Sequence, residues 1–222
     1  YVLREGKLDG RVIVVGRSGV GKVTAAIITT LLIGEFKPRV VLFTGTAGAI
    51  DPGLRPGDVV IGTSLAQHDA GAQTADGIRL RGLRNAVTGE LDPVVVPAPE
   101  PLLSLARRSA KDLRLPPIRI DNEDHVPRIV EGVIVTGDVF VSDEGRRETL
   151  RSTLSAAAVE MEGAAVVQTC RQFNVSCLVV RGITDRADGQ AQSSYDTFIA
   201  AASEHAARLV TLIIAALDSR VP

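Results

Sequence analysis

The sequence predicts an α/β fold, a three-layer arrangement in which helices flank a mixed, mainly parallel central β-sheet. Three observations lead there. Apolar β-like runs alternate with helix-spaced stretches along most of the chain, the pattern of strands linked by crossover helices. The hydrophobic share is 45%, yet only 3% is aromatic and there is no Trp. The core must therefore be built from Ala, Val, Ile and Leu, which suits helices layered on a buried sheet. No composition break divides the 222 residues, so 1–222 reads as one large domain.

The opening residues, 1–15, read as two strands joined at Asp9-Gly10, a pair that readily takes positive φ. A helix follows over about 21–35, then an apolar strand 40–44, a Gly-rich turn at 45–48, and a strand 58–66. Residues 68–99 are polar and rich in Gly and Pro, and read as loop and insertion. Helical spacing returns at 102–113 and β-like spacing at 129–136. The last third repeats the theme: helix 143–152, short strand 157–159, helix 161–173, strand 177–183, and a final helix from about 194 to 218. Ligands of such sheets sit at the carboxyl ends of strands. That rule selects four loops: 44–48, 136–141, 160–162 and 184–188.

Composition excludes several function classes. A net charge of −1 without a basic stripe argues against a nucleic-acid footprint. The longest apolar runs, 25–34 and 209–217, are too short for a membrane span, so the chain is expected to be cytoplasmic, with neither membrane nor nucleic acid as partner. His68, His125 and His205 are scattered without metal-ligand spacing, and neither metal nor cofactor is expected. Cys170 and Cys177 read as small buried hydrophobes, and the Asn174-Val-Ser176 sequon as a chance match.

Gly16-Arg-Ser-Gly-Val-Gly21-Lys22 fits the GxxxxGK pattern of a phosphate-binding loop, between a strand and a helix. Val23 then stands where a Ser or Thr hydroxyl should hold Mg²⁺, and no acidic residue follows the strand 40–43. The motif is read instead as a tight turn whose glycines let strand and helix approach closely.

Val159-Glu160-Met161-Glu162-Gly163 places two carboxylates at a strand-to-helix junction. Alone, it is a helix start that favours acidic residues. A second apolar strand ends in Arg181-Gly-Ile-Thr184-Asp185-Arg-Ala-Asp188, and a third in Thr136-Gly-Asp-Val-Phe140-Val141. With Gly45-Thr46-Ala47-Gly48 and the Gly21-Lys22 turn, these segments, in this order over almost the whole chain, closely resemble the nucleoside phosphorylase and hydrolase superfamily. Within it they are most similar to the methylthioadenosine/S-adenosylhomocysteine nucleosidases.

The resemblance implies roles residue by residue. Asp185 matches the general acid that serves N7 of adenine as the base leaves. Glu162, with the backbone of Met161, matches the group on the ribose hydroxyls, and Glu160 is grouped with it as substrate-binding. Phe140 matches the ring that stacks on adenine, whose edge the backbone of Val141 reads. Thr46, with Ala47 beside it, matches a contact to the sugar and the attacking water, and Arg181 lies by that water. Thr184 stands where serine is frequent, and Tyr195 where a phenylalanine lies near the 5′ substituent. A homodimer is implied, in which the region 70–99, with Arg79, Arg81, Arg84 and Asn85, helps complete the partner's 5′ site.

The chemistry supports such a division independently. Breaking an N-glycosidic bond leaves positive charge on the sugar and negative charge on the base, so an ionised carboxylate suits one end and a protonated acid the other. Superfamily phosphorylases carry an arginine for phosphate three residues before the loop hydroxyl; Phe43 occupies that position here, and a phenyl ring offers a dianion no donor. Water is therefore the expected nucleophile, and hydrolysis of a 5′-modified adenine nucleoside the expected reaction, with a purine nucleoside phosphorylase as the alternative. The resemblance also implies that these residues lack the family's first strand, whose glutamate helps activate the water. Glu5 belongs to the later hairpin and is no substitute, which keeps a non-catalytic nucleoside-binding protein as a further alternative.

Overall fold

The computed structural model describes residues 2–217. Tyr1 and the expected end of the last helix at Asp218 lie outside the described residues. Strands β1 (Leu3–Leu8) and β2 (Arg11–Gly16) form the expected antiparallel hairpin. Asp9 and Gly10 both have positive φ, 47° and 77°, the two-residue turn whose twist matches its strands. Helix α1 (Lys22–Phe36) follows, and β3 (Val40–Ala49) and β4 (Val59–Gln67) enter the central sheet.

The Gly-rich segment 45–48 is strand, not turn. It continues β3 and pairs in parallel with β12 (Ser176–Asp185), Gly45 opposite Arg181 and Thr46 opposite Gly182. A Cβ at Gly45 would run into the Arg181 guanidinium, and one at Gly48 would lie 2.7 Å from Asp185 Oδ1. These glycines make room for side chains of the next strand, so a residue type read as a turn signal marks close approach instead.

Residues 68–99, expected as loop, hold an antiparallel hairpin, β5 (Gly71–Thr74) with β6 (Gly77–Leu80), and the short β7 (Val95–Pro97) paired with β4. Helix α2 (Glu100–Ala110) starts earlier than its apolar spacing indicated because Pro99 caps it and Pro101 sits in its first turn. A second small hairpin, β8 (Ile118–Ile120) and β9 (Glu123–His125), turns through Asp121 and Asn122 at φ 50° and 67°; its strands are too short to show a period. Strand β10 (Ile129–Thr136), helix α3 (Glu144–Leu154), β11 (Ala156–Glu160), α4 (Gly163–Gln172) and α5 (Ala191–Ala216) complete the order.

The central sheet runs β10-β11-β3-β12-β4-β7, and β10 also pairs with β4. The pairings β10–β11, β10–β4 and β12–β3 are parallel; β11–β3, β12–β4 and β4–β7 are antiparallel. Alternation along β12 sorts its side chains to two faces. Cys177, Val179 and Ile183 join the core beneath α1 and α4, while Leu178 and Val180 join the core beneath α2 and α5. Both cysteines are free and buried. The apolar run 209–217 belongs to α5, whose 26 residues reach the length and apolarity of a membrane span. Its Ala202, Ala206, Leu209 and Ile213 are fully buried in the fold, so this apolarity serves the sheet.

Candidate active site

Parallel pairing aligns the ends of β10 with β11 and of β3 with β12, and the short antiparallel contact of Ala158 and Val159 with Ala49 and Gly48 joins the two pairs. Asp185, the last residue of β12, is 2% exposed. Its Oδ1 accepts from the Ala187 amide at 2.8 Å, and its Oδ2 lies 2.8 Å from the Thr184 hydroxyl, itself 3.3 Å from the Ala47 carbonyl. Burial pushes the Asp185 carboxyl up, with the charge of Asp188 adding to the rise, against the pull of the Ala187 amide and the Thr184 hydroxyl. The hydrogen-bond partners of Asp185 are neutral. With Asp185 protonated, the Thr184 hydroxyl can turn its proton to Ala47 and accept from the acid.

Four residues back on the same strand, roughly 13 Å along it, Arg181 lies 3% exposed in a different environment. Its guanidinium pairs with Glu160 and lies 3.4 Å from Glu162 Oε2, while the Phe43 ring covers it, the centroid 4.6 Å from Cζ. Phe43 therefore packs under a cation already in place and brings no second one. Glu162 caps α4 without bonding its own helix. Its Oε1 accepts from the Gly21 amide at 2.7 Å. Burial raises its pKa, opposed by the Gly21 amide and Arg181.

Glu160, grouped with the substrate-binding residues in the sequence, is surrounded by the protein's own donors. Both oxygens accept from the Gly163 amide, Oε2 also from Glu162 N at 3.0 Å, and the remaining contacts are Arg181 and the Thr136 hydroxyl. Thr136 in turn accepts from Ala164 N at 2.8 Å. This carboxylate is saturated inside the protein, where it neutralises the positive start of α4 and fixes Arg181. Met161, between the two glutamates, is half-buried.

Phe140 is 42% exposed and meets Tyr195, in the first turns of α5, edge-to-face with centroids 6.4 Å apart. Val141 is buried in the same small core as Ile50 and Ala187, which joins the Phe140 loop to the Asp185 loop. Thr46 is half-buried, between Gly45 against Arg181 and the buried Ala47 beside Thr184. The expected residues thus form one arc, from Phe140 and Tyr195 through Val141, Thr184, Asp185, Ala47 and Thr46 to Arg181 and Glu162.

Sequence reasoning missed how the GxxxxGK turn takes part. The start of α1 receives carboxylates: Gly21 N donates to Glu162, and Lys22 N to Asp138 Oδ1 at 2.7 Å. Gly21 has φ 94°, and a Cβ there would stand 3.1 Å from Asp138, so glycine is required. The motif's backbone geometry was visible in the sequence, but the carboxylates that its amides bind lie more than a hundred residues away.

The phosphorylase superfamily model matches residues 1–215. The 5′-methylthioadenosine/S-adenosylhomocysteine nucleosidase of Staphylococcus carnosus is 37% identical over 214 residues, 96% of this chain and 86% of that protein. Among solved structures, the corresponding nucleosidase of Neisseria meningitidis, in complex with methylthio-immucillin-A, superposes with a TM-score of 0.80 at 33% identity, covering 97% of this chain and 86% of that one. A futalosine hydrolase mutant of Helicobacter pylori superposes with a TM-score of 0.81 at 31% identity, covering 97% and 85%. With such matches spanning nearly all of its length, the chain belongs to the phosphorylase superfamily, in the branch that holds the 5′-methylthioadenosine/S-adenosylhomocysteine nucleosidases.

Proposed function

We propose that the protein is an N-ribosyl hydrolase acting on 5′-modified adenine nucleosides of the methylthioadenosine or S-adenosylhomocysteine type and releasing adenine. The observation that carries this reading is the contrast along β12: a buried acid held by neutral donors at one end, and a carboxylate beside a buried arginine at the other. Asp185 gives its proton to N7, so the base departs neutral, and the electron pair of the C1′–N9 bond goes with it. Glu162, accepting from the ribose hydroxyls, stabilises the positive charge that develops on the sugar. Water then bonds to C1′ and its surplus proton passes to the Glu162 carboxylate.

Phe140 has open surface on which a purine can stack. Thr46 is available to the sugar and the water, and Met161 and Tyr195 to the sugar and the 5′ substituent. Phe43 supports water over phosphate, because Arg181, the cation its ring covers, is engaged by Glu160. The relatives that carry the names of methylthioadenosine, S-adenosylhomocysteine and futalosine share this fold. The reading extends to a homodimer: α1 is apolar on both sides, and Val23, Ile27 and Leu31 form an exposed stripe suited to a second copy.

Incubation with 5′-methylthioadenosine, with and without phosphate, tests the reaction. Free adenine and free methylthioribose at equal rates in both are expected. Strict dependence on phosphate with a pentose 1-phosphate product indicates a phosphorylase, and tight binding without adenine release indicates a binding protein. Light scattering of the same sample tests the dimer.

A further inference from the structure

Lys22, Asp69 and Asp138 close a ring of hydrogen bonds that the reaction itself leaves unexplained. Lys22 Nζ reaches Asp69 Oδ1 at 2.7 Å and Gln67 Oε1 at 3.0 Å. Asp69 Oδ2 accepts from the Asp138 amide at 2.9 Å, and Asp138 Oδ1 accepts from the Lys22 amide at 2.7 Å. Three segments far apart in sequence are joined: the start of α1, the end of β4, and the loop after β10. The ring also borders both halves of the site. Gly21, whose amide holds Glu162, precedes Lys22, and Phe140 and Val141 follow Asp138 by two and three residues.

We infer that Lys22 is a positioning residue that sets the spacing between the sugar-side carboxylate and the purine-side aromatic loop. The inference rests on the function proposed above. Two consecutive amides of one helix start, 21 and 22, point at carboxylates from the two halves of the site, so a rotation of that turn displaces both together. The Lys22 side chain fixes the turn through Asp69, whose second oxygen holds the loop directly. Lys22 and Asp69 have side chains 20% and 19% exposed, so the pair is partly shielded from solvent and salt. A GxxxxGK lysine that elsewhere meets phosphate here meets a carboxylate of its own chain.

The variants Lys22→Met, Asp69→Asn and the double variant, with Lys22→Arg as the conservative control, test this in two ways. Hydrogen exchange at the amides of Lys22 and Asp138 reads the ring whether or not adenine is released. Exchange about tenfold faster is expected in Lys22→Met, with the unfolding midpoint within about 3 °C of wild type. Steady-state kinetics with 5′-methylthioadenosine reads the consequence. Each single variant is expected to lose about tenfold or more in kcat/KM, falling on kcat as well as KM, and the double variant to lose no more than the worse single. Lys22→Arg is expected to recover most of the loss. Wild-type exchange and wild-type kinetics in Lys22→Met overturn the inference, as do losses that multiply in the double variant. If the wild type itself releases no adenine, the proposed function fails, and the exchange rates alone decide the ring.

Discussion

Two regions along β12 surround carboxylates differently: Asp185 at its end meets only neutral donors, whereas Glu162, at the start of α4, lies beside the Arg181 guanidinium. At Asp185 burial raises the pKa, and only an amide and a hydroxyl offset it. At Glu162 burial also raises the pKa, but a guanidinium 3.4 Å away and the start of α1 pull toward the charged form. The nearby Glu160 is enclosed by the protein's own donors: amides, a hydroxyl and the arginine. Both carboxyls, Asp185 and Glu162, are raised above their ordinary values, so the proposed division of roles rests on the guanidinium beside Glu162, which Asp185 lacks among its hydrogen-bond partners.

The contrast is broken most severely at the acid. Asp185→Asn keeps the shape and can still accept from the Ala187 amide, but it has no proton to give; turnover of 5′-methylthioadenosine is expected to fall by about 10³- to 10⁴-fold, with nucleoside affinity within a few-fold by calorimetry. Near-normal turnover removes Asp185 from the role. At the other end, Arg181→Met leaves two buried carboxylates without their cation, and denaturant unfolding is expected to show a loss of about 3–5 kcal/mol. A loss below about 1 kcal/mol means that Arg181 does not hold the sugar-side charges. Between the ends, Phe140→Ala is expected to weaken adenine binding by about 1 kcal/mol, the low end for a stacking ring because Phe140 is partly exposed. Unchanged affinity removes Phe140 from the purine site.

The smallest effect sharpens the comparison through pH. The Asp185 pKa in the fold lies above its ordinary value, so its ionised form disfavours folding. That cost is present above the folded pKa and fades as pH falls toward the unfolded value. Asp185→Asn is therefore expected to have a higher unfolding midpoint than wild type at neutral pH, with the gap closing in acid. A gap that widens in acid has the wrong sign for a raised pKa.

Much of this was legible in the sequence. The alternation of apolar runs and helical spacing located the helices of the described residues and every strand of the central sheet except the short β7, because long elements write their burial in their own residues. Asp185 closes β12, and Arg181, Glu162 and Phe140 stood out in the motifs that lie within β12, after β11 and after β10. What failed shares one cause: the deciding partner was remote. Gly45 and Gly48 read as a turn, since nothing local reveals the Arg181 and Asp185 side chains that need their space. Glu160 and Glu162 looked equivalent until α4 and Arg181 saturated the first. Lys22 was set aside with a motif whose carboxylate partners lie just beyond β4 and beyond β10.

The division between a proton donor at the base and an anion at the sugar is tested most directly with a leaving group that needs no proton. A 4-nitrophenyl 5-methylthioriboside departs as a stable phenolate, so Asp185→Asn should hydrolyse it within about tenfold of the wild-type rate while remaining inactive on 5′-methylthioadenosine. Glu162→Gln should be impaired on both. Should Asp185→Asn lose as much on the nitrophenyl riboside as on the adenine nucleoside, Asp185 does something other than protonate the departing base, and the account is contradicted.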